Sequence, residues 1–96
     1  MAESKRILHE LRNELKKAEI PKQVFILTAT QMQVWIDFAI QYYGERLQHD
    51  GLSECKDRIE DAVMDMQQAN TDMQFNDAKS RIIEQADTIE RLMTPY

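Results

Sequence analysis

The chain has 96 residues, with 12 Lys and Arg against 17 Asp and Glu for a net charge of −5, one Cys, two Gly and two Pro. That length supports a single domain (1–96), and so few turn-forming residues argue against a sandwich or barrel. One Cys rules out an intramolecular disulfide framework and a Cys-based zinc site, and suits a reducing compartment.

A 43% hydrophobic fraction is too high for a disordered chain. The longest uninterrupted apolar run, Val24-Phe25-Ile26-Leu27, falls far short of the roughly 20 residues needed to span a bilayer. The opening stretch, MAESKRILHELRNELKK, has no secretory apolar core or cleavage site. A cytoplasmic protein without membrane contact is the expectation.

Ile7, Leu8, Leu11, Leu15 and Ala18 recur at helical spacing and predict a first helix over 4–19, with Ser4 as its N-cap. Pro21 lacks an N–H and disfavours the α region for Ile20, so the helix should stop before it. Residues 22–29, KQVFILTA, are too few for periodicity to decide between helix and strand. A lone strand would have no partner, so this stretch reads as an apolar linker packed on the helices.

Thr28 and Thr30 each precede a Gln by three positions, the capping-box pattern, which predicts a second helix over 30–49. Gly51 would close it, with His49 in the last turn where a cation suits the helix dipole. Met32, Trp35, Ile36, Ala39, Tyr43 and Leu47 form one apolar stripe, flanked by Ile40. Val34, Phe38 and Tyr42 form a second beside it. Gln33, Asp37, Gln41, Gly44 and Gln48 leave only a narrow polar strip. A helix this apolar is either central in its domain or shared with a partner. Aromatic side chains are enriched at interface hot spots, so Val34, Phe38 and Tyr42 are the expected partner interface.

Ser53 can cap a third helix over 53–69. Cys55, Ile59, Ala62, Met66, Ala69 and Met73 make a heptad-like seam. Phe75, Ala78, Ile82, Ala86, Ile89 and Met93 make another, but at 100° per residue it lies about 180° from the first. Either the chain turns near Asn70-Thr71-Asp72, where Thr71 and Gln74 repeat the capping-box pattern, or one long helix serves two neighbours in an interlocked oligomer. The turn is the preferred reading, with a fourth helix over 72–93. The fold class is therefore all-α, a three- to four-helix bundle assembled into a homo-oligomer.

Two constellations bear on chemistry. Asp57-x-x-Glu60, with Asp61 adjacent, precedes Glu84-x-x-Asp87, and paired carboxylates one turn apart on facing helices can hold Mg²⁺. These four positions resemble the ExxE…ExxD arrangement of the all-α MazG-type nucleotide pyrophosphohydrolases, with Asp at the first position in place of Glu. The resemblance implies a Mg-dependent nucleotide hydrolase. Helical phase instead points Asp57, Glu60, Asp61 and Glu84 away from the apolar seams, toward solvent.

The second constellation is basic. Lys5, His9, Arg12 and Lys16 share one strip of the first helix, and Lys22 extends it. Residues 1–22 carry net +2 and residues 23–96 net −7. This strip can pair with the acidic surface of the third helix, or bind phosphate or an acidic partner. A sequence pI near 4.9 disfavours nucleic acid.

Catalysis has little support, since Cys55 lies on an apolar seam, His9 and His49 stand in no recognisable triad, and Gly44 and Gly51 are isolated. The sequence supports a small interaction protein (adaptor, regulator or inhibitor) rather than an enzyme, with no cofactor and no metal site. Its partners would be itself and another protein. The alternative is a helical oligomer that binds a phosphate-bearing ligand such as a nucleotide between subunits.

Overall fold

The computed structural model describes residues 3–17, 19–43 and 49–93. Every regular element among them is a helix: α1 (Glu3–Leu15), α2 (Lys22–Tyr43), α3 (His49–Gln67) and α4 (Asp72–Met93). Each helix packs on the next along the chain, and α1 also packs on α4.

The turn between the two seams is present. The Thr71 hydroxyl accepts a bond from the Gln74 N–H at 3.2 Å, and the Gln74 side chain accepts one from the Asn70 N–H at 2.8 Å. Together they occupy backbone donors that the first turn of α4 leaves without an intrahelical acceptor. The reversal brings the opposed stripes face to face. Cys55, Ile59, Ala62 and Met66 on α3 are buried, as are Ala78, Ile82, Ala86, Ile89 and Met93 on α4. Met73 does not join the seam as expected. It falls just after the turn and is 81% exposed.

The largest correction concerns α2. Residues 22–29 are helical from Lys22 onward, and the Phe25 N–H donates to the Pro21 carbonyl at 2.9 Å. Pro21 thus ends the preceding segment and starts the next helix at once. Phe25, Ile26 and Ala29 are buried, which the linker reading could not supply so regularly. Thr28 and Thr30 are not caps. Their hydroxyls donate to the carbonyls of Val24 and Ile26, four residues back, at 2.8 and 2.9 Å.

Other boundaries shift for local reasons. α1 stops at Leu15 rather than 19: the Lys16 N–H is shared between the carbonyls of Arg12 and Asn13, and the Lys17 N–H turns to that of Glu14, three residues back. Ser4 is not outside the helix as its cap but buried in its first turn. His49, Gly51 and Ser53 belong to α3, not to the end of α2 or to a cap. A Cβ at Gly51 would sit 3.3 Å from a Leu92 methyl, so the bare Cα lets α3 approach α4 closely. Of the expected stripe residues, Ala18, Gly44, Leu47 and Gln48 and the Tyr43 side chain lie outside the described residues, as does the His49 side chain.

The core is continuous. Leu8, Leu15, Phe25, Met32, Ile36, Leu52, Ile59, Met66, Ile82 and Ile89 anchor it, with Leu11, Trp35 and Phe75 packed at its margin. No helix is long and apolar enough among the described residues to cross a membrane.

Candidate functional site

Two surfaces emerge. The first is a charged seam between α1 and α4. His9 and Arg12 lie along one strip of α1, with Lys16 just past its end, and Asp87 and Glu90 lie one turn apart on α4. Arg12 reaches both acids, with Nε 2.7 Å from Asp87 and Nη1 2.8 Å from Glu90. Lys16 Nζ is 2.8 Å from the same Asp87 oxygen, and His9 Nδ1 is 2.6 Å from Glu90.

Partial burial would push the Asp87 carboxyl up, but hydrogen bonds from Lys16 and Arg12, with their charge, outweigh it and hold the group below its ordinary value. The hydrogen bond that Arg12 donates to Asp87 raises Arg12 in turn, against the opposing effect of burial. At least three of the five expected phosphate-binding cations, His9, Arg12 and Lys16, are therefore matched by carboxylates of the same chain. The acidic surface they meet is that of α4, not α3.

Lys22 lies apart from them. Lys22 Nζ lies over the Phe75 ring, 5.5 Å from its centroid. Lys5 borders a cleft of about 490 Å³ between α1 and α4, floored by Leu8, Ala86, Ile89 and Met93 and rimmed by Arg6, His9 and Glu90. Arg6 is paired along its own helix with Glu3 and Glu10.

The carboxylate motif is dispersed. Asp57, Glu60 and Asp61 are exposed on α3, Glu84 is exposed on α4, and Asp87 is turned toward α1. Among the described residues, no three His, Cys, Asp or Glu side chains converge as a metal ion would require. Cys55 is buried, and burial pushes its thiol up, away from the reactive thiolate.

The second surface is the outer face of α2. Val34, Phe38 and Tyr42, the expected interface residues, are 49%, 48% and 56% exposed. Because the helix begins at Lys22, the same face gains two residues that the linker reading concealed: Val24 at 45% and Leu27 at 62%. With Gln31 these side chains fall within an arc of about 80° and run for about 27 Å along the helix. The opposite face carries Phe25, Met32, Ile36 and Ala39 into the core. Phe38 is braced by Trp35, with ring centroids 5.1 Å apart and planes at 50°. Trp35, Phe38, Gln41, Tyr42 and Ser4 line a shallow groove of about 320 Å³ beside this stripe.

Charge is missing from the stripe. Lys22 and Asp37 bracket fourteen consecutive residues, 23–36, with no ionisable side chain. Asp37 is engaged by Lys56 of α3 at 2.9 Å, and that hydrogen bond raises Lys56 above its ordinary value. Comparison of the chain with protein-family models, curated protein sequences and solved structures returns no match.

Proposed function

We propose that this protein is a four-helix bundle that works as a small interaction protein, an adaptor, regulator or inhibitor that covers a partner's surface with the outer face of α2. The observation that carries the reading is the line of Val24, Leu27, Val34, Phe38 and Tyr42, each close to half exposed or more on one rigid helix. Soluble domains rarely leave so long an apolar strip uncovered without a use for it.

Side chains of these types, exposed to this degree, offer on the order of 500 Å². At about 25 cal/mol per Å² that is on the order of 12 kcal/mol of gross stabilisation. Association costs of about 4–15 kcal/mol consume most of it. Affinity then rests on a few anchors, and Phe38 and Tyr42, the two aromatics of the stripe, are the natural ones.

No catalytic role is part of this reading, which puts the protein in the cytoplasm, where the one thiol stays reduced. A phosphate-bearing ligand has weaker support, because His9, Arg12 and Lys16 already face Asp87 and Glu90. The test is Phe38→Glu and Tyr42→Glu, followed by light scattering and partner capture. Both variants should lose assembly or partner binding while circular dichroism stays unchanged. Unchanged binding in both contradicts the proposal.

A further inference from the structure

We infer that the occupant of the α2 face is a second copy of this chain, docked antiparallel about a two-fold axis that passes between Met32 and Gln33. The inference rests on the interaction reading above and specifies the partner. Three properties of the face lead to it: its symmetry, its charge and its area.

The stripe is nearly palindromic. Leu27 and Phe38, and Gln31 and Val34, lie at equal distances from its midpoint, and Val24 and Tyr42 match to within one residue. In a two-fold interface, residue i meets residue j and j meets i. Reversing a second α2 about that midpoint sets Val24 on Tyr42, Leu27 on Phe38 and Gln31 on Val34, twice over. The outer pairs match a smaller side chain with a larger one, which keeps two helices at even spacing. The two Gln31 side chains then lie about one turn apart along the axis, within reach of each other. A shifted register would carry the two amides out of each other's reach and leave them only apolar neighbours, and a polar residue in such a seam selects register.

Charge points the same way. A surface that meets its own copy brings like charges together, and this chain carries net −5. The α2 face avoids that penalty, since residues 23–36 hold no ionisable group and the flanking Gln23, Thr30 and Gln41 are neutral. A foreign basic partner would gain more from the acidic faces of α3 and α4. Two copies of the stripe bury on the order of 1,000 Å², the lower bound for a specific interface, which suits a reversible dimer.

The test uses the full chain with Cys55→Ala, carrying either Gln23→Cys or Gln41→Cys. These two exposed flank positions leave every apolar contact in place, and the antiparallel register brings one against the other. A short bis-maleimide should link the mixed sample at least ten-fold faster than either variant alone. Homotypic sites lie roughly 25 Å or more apart along the axis in this register, beyond the linker. Sedimentation should show mass rising with concentration toward twice 11.3 kDa, and Leu27→Glu should hold it at the monomer. Homotypic linking as fast as mixed linking overturns the antiparallel register. A monomer at every concentration overturns self-pairing altogether. In that event, retention of a partner that Phe38→Glu releases leaves the interaction reading standing, and its absence removes both.

Discussion

Trp35 and Phe38 touch, with ring centroids 5.1 Å apart, yet they stand on different sides of the boundary between the core of the protein and the outer face of α2. Trp35 packs against the buried cluster. Phe38 leans on it and remains about half exposed. On the proposed interaction reading, the pair divides stability from recognition within a single turn. Phe38→Glu should change folding stability by less than about 1 kcal/mol, whereas Trp35→Ala should cost about 2–3 kcal/mol. Urea unfolding of the two variants measures the difference, and equal losses would contradict the division.

The early start of α2 has its own consequence. Phe25 is fully buried, so Phe25→Ala should cost about 3–5 kcal/mol. Thr30 is exposed and bonds back to Ile26 inside the helix. Thr30→Ala should therefore be neutral or stabilising by a few tenths of a kcal/mol. Loss of about 1 kcal/mol, as from a lost N-cap, would favour a helix that begins at residue 30.

At the α3–α4 turn the reverse holds. Thr71→Ala removes the acceptor for the Gln74 N–H and should cost about 1 kcal/mol, with thermal unfolding as the readout. Gln74→Ala should cost less, because the Asn70 N–H that it satisfies is exposed and can turn to water.

Asp87 links fold stability to pH. Its folded pKa lies below the ordinary 3.8, so the unfolded chain takes up the proton first as pH falls. The stabilisation is fully present above that value and is lost as pH drops below it toward the folded pKa. Asp87→Asn should cost under about 1 kcal/mol at neutral pH, given the exposure of the pair to solvent. The gap between wild type and variant should stay constant from pH 7 to about pH 5 and close below about pH 4. Arg12→Ala should cost more, about 1–2 kcal/mol, since it removes one partner from each of two carboxylates.

The sequence carried much of this fold. Two seams of opposite phase, separated by Thr71-x-x-Gln74, required either a turn or a long shared helix, and the preferred turn is where the structure has it. The stripe of Val34, Phe38 and Tyr42 is legible in the sequence as a second apolar face. What stayed hidden was local. Residues 22–29 are as β-branched as a strand, and Pro21 conceals a start signal behind a stop signal. Val24 and Leu27 were lost with that stretch, and with them the symmetry of the stripe. The match of Arg12 to Asp87 was also out of reach, because no pattern within α1 says which acidic helix will lie beside it.

Radical footprinting of the chain at low and high micromolar concentration tests the central claim most directly, since it reads the solvent exposure of each side chain in solution. Leu27, Phe38 and Tyr42 should label readily in dilute protein and become protected together as concentration rises. Met73, which is 81% exposed and far from the stripe in sequence, should label equally throughout. Protection confined to α3 or α4, or equal labelling of the stripe at every concentration, would contradict the assignment of the α2 face as the surface where two copies meet.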